Sequence, residues 1–290
     1  MLSGFYVPNF TAFRPDNTVD FNATVEHARW LASEGVTGLV PFGTYGEGAS
    51  LSISERIALV ERFLEADLGV AIIPTIISNS FGDIVAFLDF LENLPITAVI
   101  VVPPSYYRPI SDKYLLEFYR RVVEKTAHPV IAYNIPVYSL PISPDIAVKS
   151  GVWGVKDSSG DIDCASAYLA RDVNLLIGTE RLLISALGQG ARGGILGYGN
   201  LFPKQMIQVY REWIAGSVSE AEFILNRVLE TVSQLIKPNF DFISTIGTLK
   251  SVVQLVGPTP MGAMRCPLPE FVAEDSDIKN FTRLASVIAI

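Results

Sequence analysis

Cysteine is nearly absent from this chain of 290 residues: Cys164 and Cys266 are too few and too far apart for a disulfide framework or a zinc knuckle. A reducing cytoplasm fits that usage best. Histidine is as scarce. His27 falls within a helical pattern, His128 just before Pro129 at the start of a strand, and neither has a His or Cys neighbour at ligand spacing. No metal site is therefore expected, and any chemistry must come mainly from Lys, Tyr, Thr, Asp and Glu. Positive charge is in deficit, with 22 Lys and Arg against 30 Asp and Glu, which argues against a nucleic-acid partner while leaving room for a local basic pocket. Long apolar runs are also lacking. The strongest, residues 70–77 and 98–102, fall far short of the ~20 residues of a membrane helix. Residues 1–6 have neither the basic stretch nor the apolar core of a signal peptide.

What is present is apolar sequence, 49% of the chain, enough for one large barrel with an appendage or for two modest domains. Short β-rich runs at 5–10, 37–42, 70–77, 98–102, 130–134, 152–156, 175–178 and 194–196 alternate with segments of helical period. Phe21, Val25, Ala28 and Ala32 mark one such segment, and Ile53, Ile57, Val60 and Leu64 the next. About eight continuous apolar strands, each followed by a helix, predict an α/β chain of the (β/α)8 TIM-barrel type. A doubly wound open sheet is the rival, but no first strand leads into a nucleotide-binding turn. After Pro203 strand signals stop, and helical patterns follow at 205–215, 220–235, 243–255 and 277–287. The expected division is a barrel over 1–220 and a C-terminal helical extension over 221–290.

In such a barrel the site lies at the carboxyl ends of the strands. Lys156 ends the sixth expected strand. Burial of an amine favours its neutral form, a nucleophile able to attack a ketone. The alternative is a lysine that reaches solvent and pairs with Asp157. Tyr133 ends the fifth strand and should project toward the same mouth, where a phenol can shuttle protons beside an imine; otherwise it is a packed aromatic. Gly43-Thr44-Tyr45-Gly46-Glu47-Gly48 follows the second strand, where backbone N–H groups could cradle a carboxylate and Thr44 could pass a proton to Tyr133. It could equally be only a tight turn. Gly188-Gln189-Gly190-Ala191-Arg192-Gly193 fits a dinucleotide-binding string, but a helix precedes it and a strand follows, so it is expected to be a turn into the eighth strand.

Together these motifs resemble the dihydrodipicolinate synthase/N-acetylneuraminate lyase family of pyruvate-dependent aldolases, over essentially the whole chain. The likeness includes Pro104-Ser105-Tyr106-Tyr107-Arg108-Pro109, Tyr133-Asn134-Ile135-Pro136, Gly154-Val155-Lys156-Asp157, Gly178-Thr179-Glu180 and Arg265-Cys266-Pro267-Leu268. The resemblance implies a homotetramer, a dimer of dimers, acting on a small keto acid without a cofactor, since the protonated imine is itself the electron sink. It implies that Lys156 is the Schiff-base lysine and Tyr133 the acid/base. Thr44 and the backbone at Tyr45 would hold the keto-acid carboxylate, with Gly43 beside them in the substrate-binding turn, Ile195 would wall the site, and Tyr106 would reach into a neighbouring subunit's site.

Two positions depart from the family pattern. Tyr45 stands where most members carry a second threonine, which alters the hydroxyl relay and narrows the pocket. Tyr138 stands where dihydrodipicolinate synthases have an arginine for a second carboxylate, which argues against that activity. The chain looks nearest to the 2-keto-3-deoxygluconate aldolases, in which Gly178, Glu180 and Gly197 would line the polyol end of the substrate. The competing expectations are a keto-deoxy sugar acid dehydratase, an N-acetylneuraminate-type lyase, and a catalytically idle keto-acid-binding barrel. Arg108 and Lys113 are the candidates for a substrate phosphate, or else ordinary surface charges.

Overall fold

A computed structural model describes residues 2–236, 241–269, 278, 279 and 282. In chain order the elements are β1 (Gly4–Val7), α1 (Phe21–Ser33), β2 (Gly38–Leu39), α2 (Ile53–Glu65), β3 (Ala71–Ile72), β4 (Thr75–Ile76) and α3 (Phe81–Leu91). There follow β5 (Val99–Val101), α4 (Asp112–Val123), β6 (Val130–Asn134), α5 (Pro144–Ser150), β7 (Gly154–Asp157), α6 (Ile162–Leu169) and β8 (Asn174–Ile177). The last are α7 (Leu183–Gly188), β9 (Gly193–Ile195), α8 (Pro203–Ile214), α9 (Val218–Ser233) and α10 (Phe242–Val253). The helix expected over 277–287 lies almost wholly outside the described residues. The extension expected to begin at 221 begins within α9.

All strand pairs are parallel, in the order β3-β2-β1-β9-β8-β7-β6-β5-β4. The two ends of that order, β3 and β4, are consecutive in the chain and separated only by Ile73 and Pro74. Pro74 has no N–H for the ladder, so the single third strand expected at 70–77 is interrupted there. Its neighbours still bond on both sides. Ile73 and Thr75 N–H donate to Leu39 and Pro41 carbonyls, and the Pro74 and Ile76 carbonyls accept from Ile100 and Val102. The sheet thus closes on itself as a barrel of eight strands, one of them broken.

Alternation along the strands divides the apolar residues into two layers. Tyr6, Val40, Ile73, Ile100, Ile131, Tyr133, Leu176 and Ile195 pack inside the barrel. Val7, Leu39, Val99, Val101, Ala132, Val155 and Ile177 face outward under the helices. Local signals set the helix ends. Ser52 and Glu55 form a reciprocal capping box at α2, and Ser143 caps α5 with Pro144 in its first turn. Gly188 ends α7 and Gly193 opens β9, so the glycine string between them is the expected turn.

Candidate active site

The β6 and β7 registers place Tyr133 directly opposite Lys156. Val155 belongs to the outer layer, so Lys156 one residue on points inward, and it is only 3% exposed. Its Nζ lies 4.0 Å from the centre of the Tyr133 ring. Asp157 does not pair with it: its carboxylate faces outward and accepts from Asn134 Nδ2 at 2.7 Å and Ser159 Oγ at 2.9 Å. Burial pushes the Tyr133 phenol up, but the Lys156 ammonium and hydrogen bonds with Thr44, Lys156 and Ser158 together outweigh it, leaving the phenol below its ordinary value. A phenol shifted in this direction beside an amine can both give and take a proton.

The turn after β2 is held in a tense conformation. Phe42 and Glu47, at its two ends, are non-glycine residues with positive φ of 64° and 52°, a geometry costing of order 1–3 kcal/mol each and typical of ligand clamps. A side chain at Gly48 would collide with the Phe42 carbonyl, its Cβ 1.7 Å from the oxygen, so only glycine closes this turn. Glu47 is buried and receives Lys250 Nζ at 2.6 Å and the Arg265 N–H at 2.8 Å. Burial raises Glu47 and lowers Lys250, each opposed by the attraction of the other. Arg265 also donates to the Ser50 carbonyl and to Glu55. Lys250 and Ser158 went unnoticed in the sequence. Lys250 had a signal: it falls on the apolar face of α10 with Ile246, Leu249 and Val253.

The other expected residues divide into two groups. Ile195 is buried inside the barrel, in the same inner apolar cluster as Tyr133. Tyr45, Glu180 and Gly197 form a neighbouring cluster. The Tyr45 ring lies over Gly197, and the Glu180 carboxylate accepts the Tyr198 N–H at 2.9 Å. Burial raises Glu180, partly offset by the backbone N–H groups of Tyr198 and Gly197 and by the Lys156 ammonium. Burial also raises Tyr45, with Glu180, Tyr198 and Tyr133 adding to it. Gly178 is overlaid by the Ser158 side chain. Tyr106 stands apart, 79% exposed with its ring against Tyr107. Arg108 and Lys113 are exposed.

A cavity of about 370 Å³ opens at the strand ends, lined by Thr44, Glu47 and Tyr138 among polar residues and chiefly by aliphatic ones. Its described lining includes no Lys or Arg. Thr44 sits on this lining, and its side chain hydrogen-bonds the Tyr133 phenol. Among the described residues no cluster of three or more His, Cys, Asp or Glu could hold a metal, and no helix is long and apolar enough to cross a membrane.

Residues 1–282 match the family model described as the dihydrodipicolinate synthetase family. The chain belongs to that family. Its members are lyases, class I pyruvate-dependent aldolases, and so is this chain. An uncharacterized DapA-like lyase of Pyrococcus abyssi is 29% identical over 84% of the chain and 86% of its own length. A 4-hydroxy-tetrahydrodipicolinate synthase of Anaplasma marginale is 29% identical over 88% of each. The 2-keto-3-deoxygluconate aldolase of Sulfolobus, solved with D-KDPG, superposes with a TM-score of 0.88 at 21% identity over 98% of this chain and 96% of that one.

Proposed function

We propose that the protein reversibly cleaves a 2-keto-3-deoxy sugar acid, such as 2-keto-3-deoxygluconate, to pyruvate and an aldehyde such as glyceraldehyde. The observation that carries this is the Lys156–Tyr133 pair, side by side in register with Nζ 4.0 Å from the ring and Thr44 hydrogen-bonded to the phenol. Lys156 Nζ adds to the C2 carbonyl. Tyr133 carries protons to and from the carbinolamine as water leaves, giving a protonated imine. Tyr133, relayed by Thr44, then accepts the proton of the C4 hydroxyl. The C3–C4 bond breaks, its electron pair flows into the iminium, and an aldehyde and a pyruvate enamine result. Protonation at C3 and hydrolysis release pyruvate and the free lysine.

Thr44 and the N–H of Tyr45, with Gly43 keeping the turn open, bind the substrate carboxylate. Tyr138 stacks on Phe242, with ring centres 6.0 Å apart. With no Lys or Arg among the described residues of the cavity lining, a second carboxylate finds no counter-charge there, which disfavours dihydrodipicolinate synthesis. The exposure of Tyr106 agrees with its being covered by a second subunit in a homotetramer, and a cytoplasmic enzyme needing no cofactor completes the reading. Incubation with pyruvate and borohydride, followed by peptide mass spectrometry, tests it. A reduced pyruvyl adduct on Lys156 is expected. Folded protein without an adduct would leave only a keto-acid-binding barrel. Aldehyde release separates cleavage from dehydration.

A further inference from the structure

Of the three residues expected to line a polyol subsite, Gly178 and Gly197 are each covered by a side chain of this same protein, and Glu180 is engaged by a backbone N–H. The Ser158 hydroxyl fills the space beside Gly178, where a Cβ would stand 2.0 Å from Oγ. Glu180 is spent on the Tyr198 N–H. Above Gly197 the fit is as close: a Cβ built there would stand 2.0 Å from Tyr45 Cζ and 2.4 Å from its hydroxyl oxygen. The Tyr45 ring therefore occupies a notch that exists only because residue 197 has no side chain. Aromatic neighbours hold it there. Phe10 lies 5.9 Å away on one side, Phe242 6.0 Å away edge-on, and Phe242 in turn stacks on Tyr138.

This row of rings crosses the barrel mouth. The open cavity lies on the side of β2, β4, β5 and β6, and its described lining includes nothing from the ends of β7, β8 or β9. A substrate with its carboxylate at Thr44, C2 at Lys156 and C4 at Tyr133 would run its remaining carbons toward Gly178, Glu180 and Gly197. Tyr45 blocks that direction. Turning back into the cavity meets Ile77, Val102, Ile135, Ile243 and Leu268, with Ser50, Ser105, Glu47 and Tyr138 as its few polar groups besides Thr44, so an extended string of hydroxyls would lie largely against aliphatic side chains.

We infer that Tyr45 is a specificity-determining residue that limits the aldehyde half of the substrate to a short chain, of glyceraldehyde size, and excludes extended polyhydroxylated aldehydes. This rests on the aldolase reading above and deepens it. The test measures kcat/KM for condensation of pyruvate with glyceraldehyde and with a pentose, in the parent and in Tyr45→Thr. Comparing the ratio between the two proteins cancels the pentose's low open-chain fraction. The pentose-to-glyceraldehyde ratio should rise at least tenfold in Tyr45→Thr. Should that variant not fold, Tyr45→Leu reads the same ratio.

A second measurement is independent of activity. Gly197→Ala should lower the thermal midpoint in the Tyr45 background and be tolerated in Tyr45→Thr. A ratio changed less than threefold, or Gly197→Ala equally harmful in both backgrounds, would overturn the inference. Borohydride trapping on Lys156 is run on the same proteins. An unchanged ratio with an intact adduct removes the length limit alone, whereas loss of the adduct in the parent removes the aldolase reading.

Discussion

Replacing Lys250 with methionine removes a cation but keeps most of the side-chain volume, so the effect is chiefly electrostatic. The ammonium lies 2.6 Å from Glu47 Oε1 and 3.1 Å from the Ala263 carbonyl, and the two residues are 1% and 2% exposed. Without it the carboxylate keeps the Arg265 N–H but remains buried with its main counter-charge gone. Breaking one side of a buried pair costs about 3–5 kcal/mol, whereas replacing both partners is often nearly neutral. Lys250→Met should therefore lose about that much, and Glu47→Gln/Lys250→Met should recover at least half of it. The pH dependence has a definite sign. Burial already raises the Glu47 carboxyl, and Lys250 is the largest influence pulling it back down. In the variant it rises further, so the folded state holds the proton more tightly than the unfolded chain does. Stability then falls as pH climbs above the unfolded value of about 4.3. The deficit relative to the parent should be greatest near pH 8 and shrink toward pH 4. Urea midpoints across that range measure it. A deficit below about 1 kcal/mol at pH 8, or one that grows in acid, would refute the reasoning.

Tyr133→Phe should lower kcat for cleavage by about 10²–10⁴-fold while borohydride still traps pyruvate on Lys156, and a loss under tenfold would remove the phenol from the proton-transfer role. Thr44→Val and Ser158→Ala each delete a hydrogen bond that holds the Tyr133 phenol down, so the alkaline limb of the pH–rate profile should move to higher pH in both; a shift the other way contradicts the assignment. Burial, against the hydrogen bond to Asn200, pushes His27 down to about 4. The unfolded chain takes up that proton first, so the parent should lose about 3 kcal/mol between pH ~6.5 and ~4 on this residue's account. His27→Gln should flatten that part of the stability curve, as read by urea midpoints. An unchanged slope would place the acid sensitivity elsewhere.

Strand parity and element order make the centre of this site legible in the sequence. Val155 and Lys156 must face opposite ways on one strand, and a tyrosine ending the neighbouring strand must meet the lysine in a parallel barrel. Closure of the barrel is less visible, because Pro74 interrupts an apolar run that reads as one strand while its flanking residues still bond to both neighbours. Contacts that depend on side-chain direction across long separations are not visible at all. Nothing local says that Ser158 leans over Gly178 toward Tyr133, or that Tyr45 drops into the space above Gly197. The described part of the extension shows what such contacts accomplish. Phe242 packs on Tyr45, Lys250 on Glu47, and Arg265 on Glu47 and Ser50, so three points 242–265 converge on one segment of six residues, 45–50. That segment overlaps the turn after β2 and contains one of its two positive-φ residues, Glu47. A buried lysine on an apolar helix face and a buried glutamate in a strained glycine turn each break a local rule, and each is explained only by the other. Residues 242–265 are thus part of the site's geometry, and a fault in them should register first as a misplaced turn after β2.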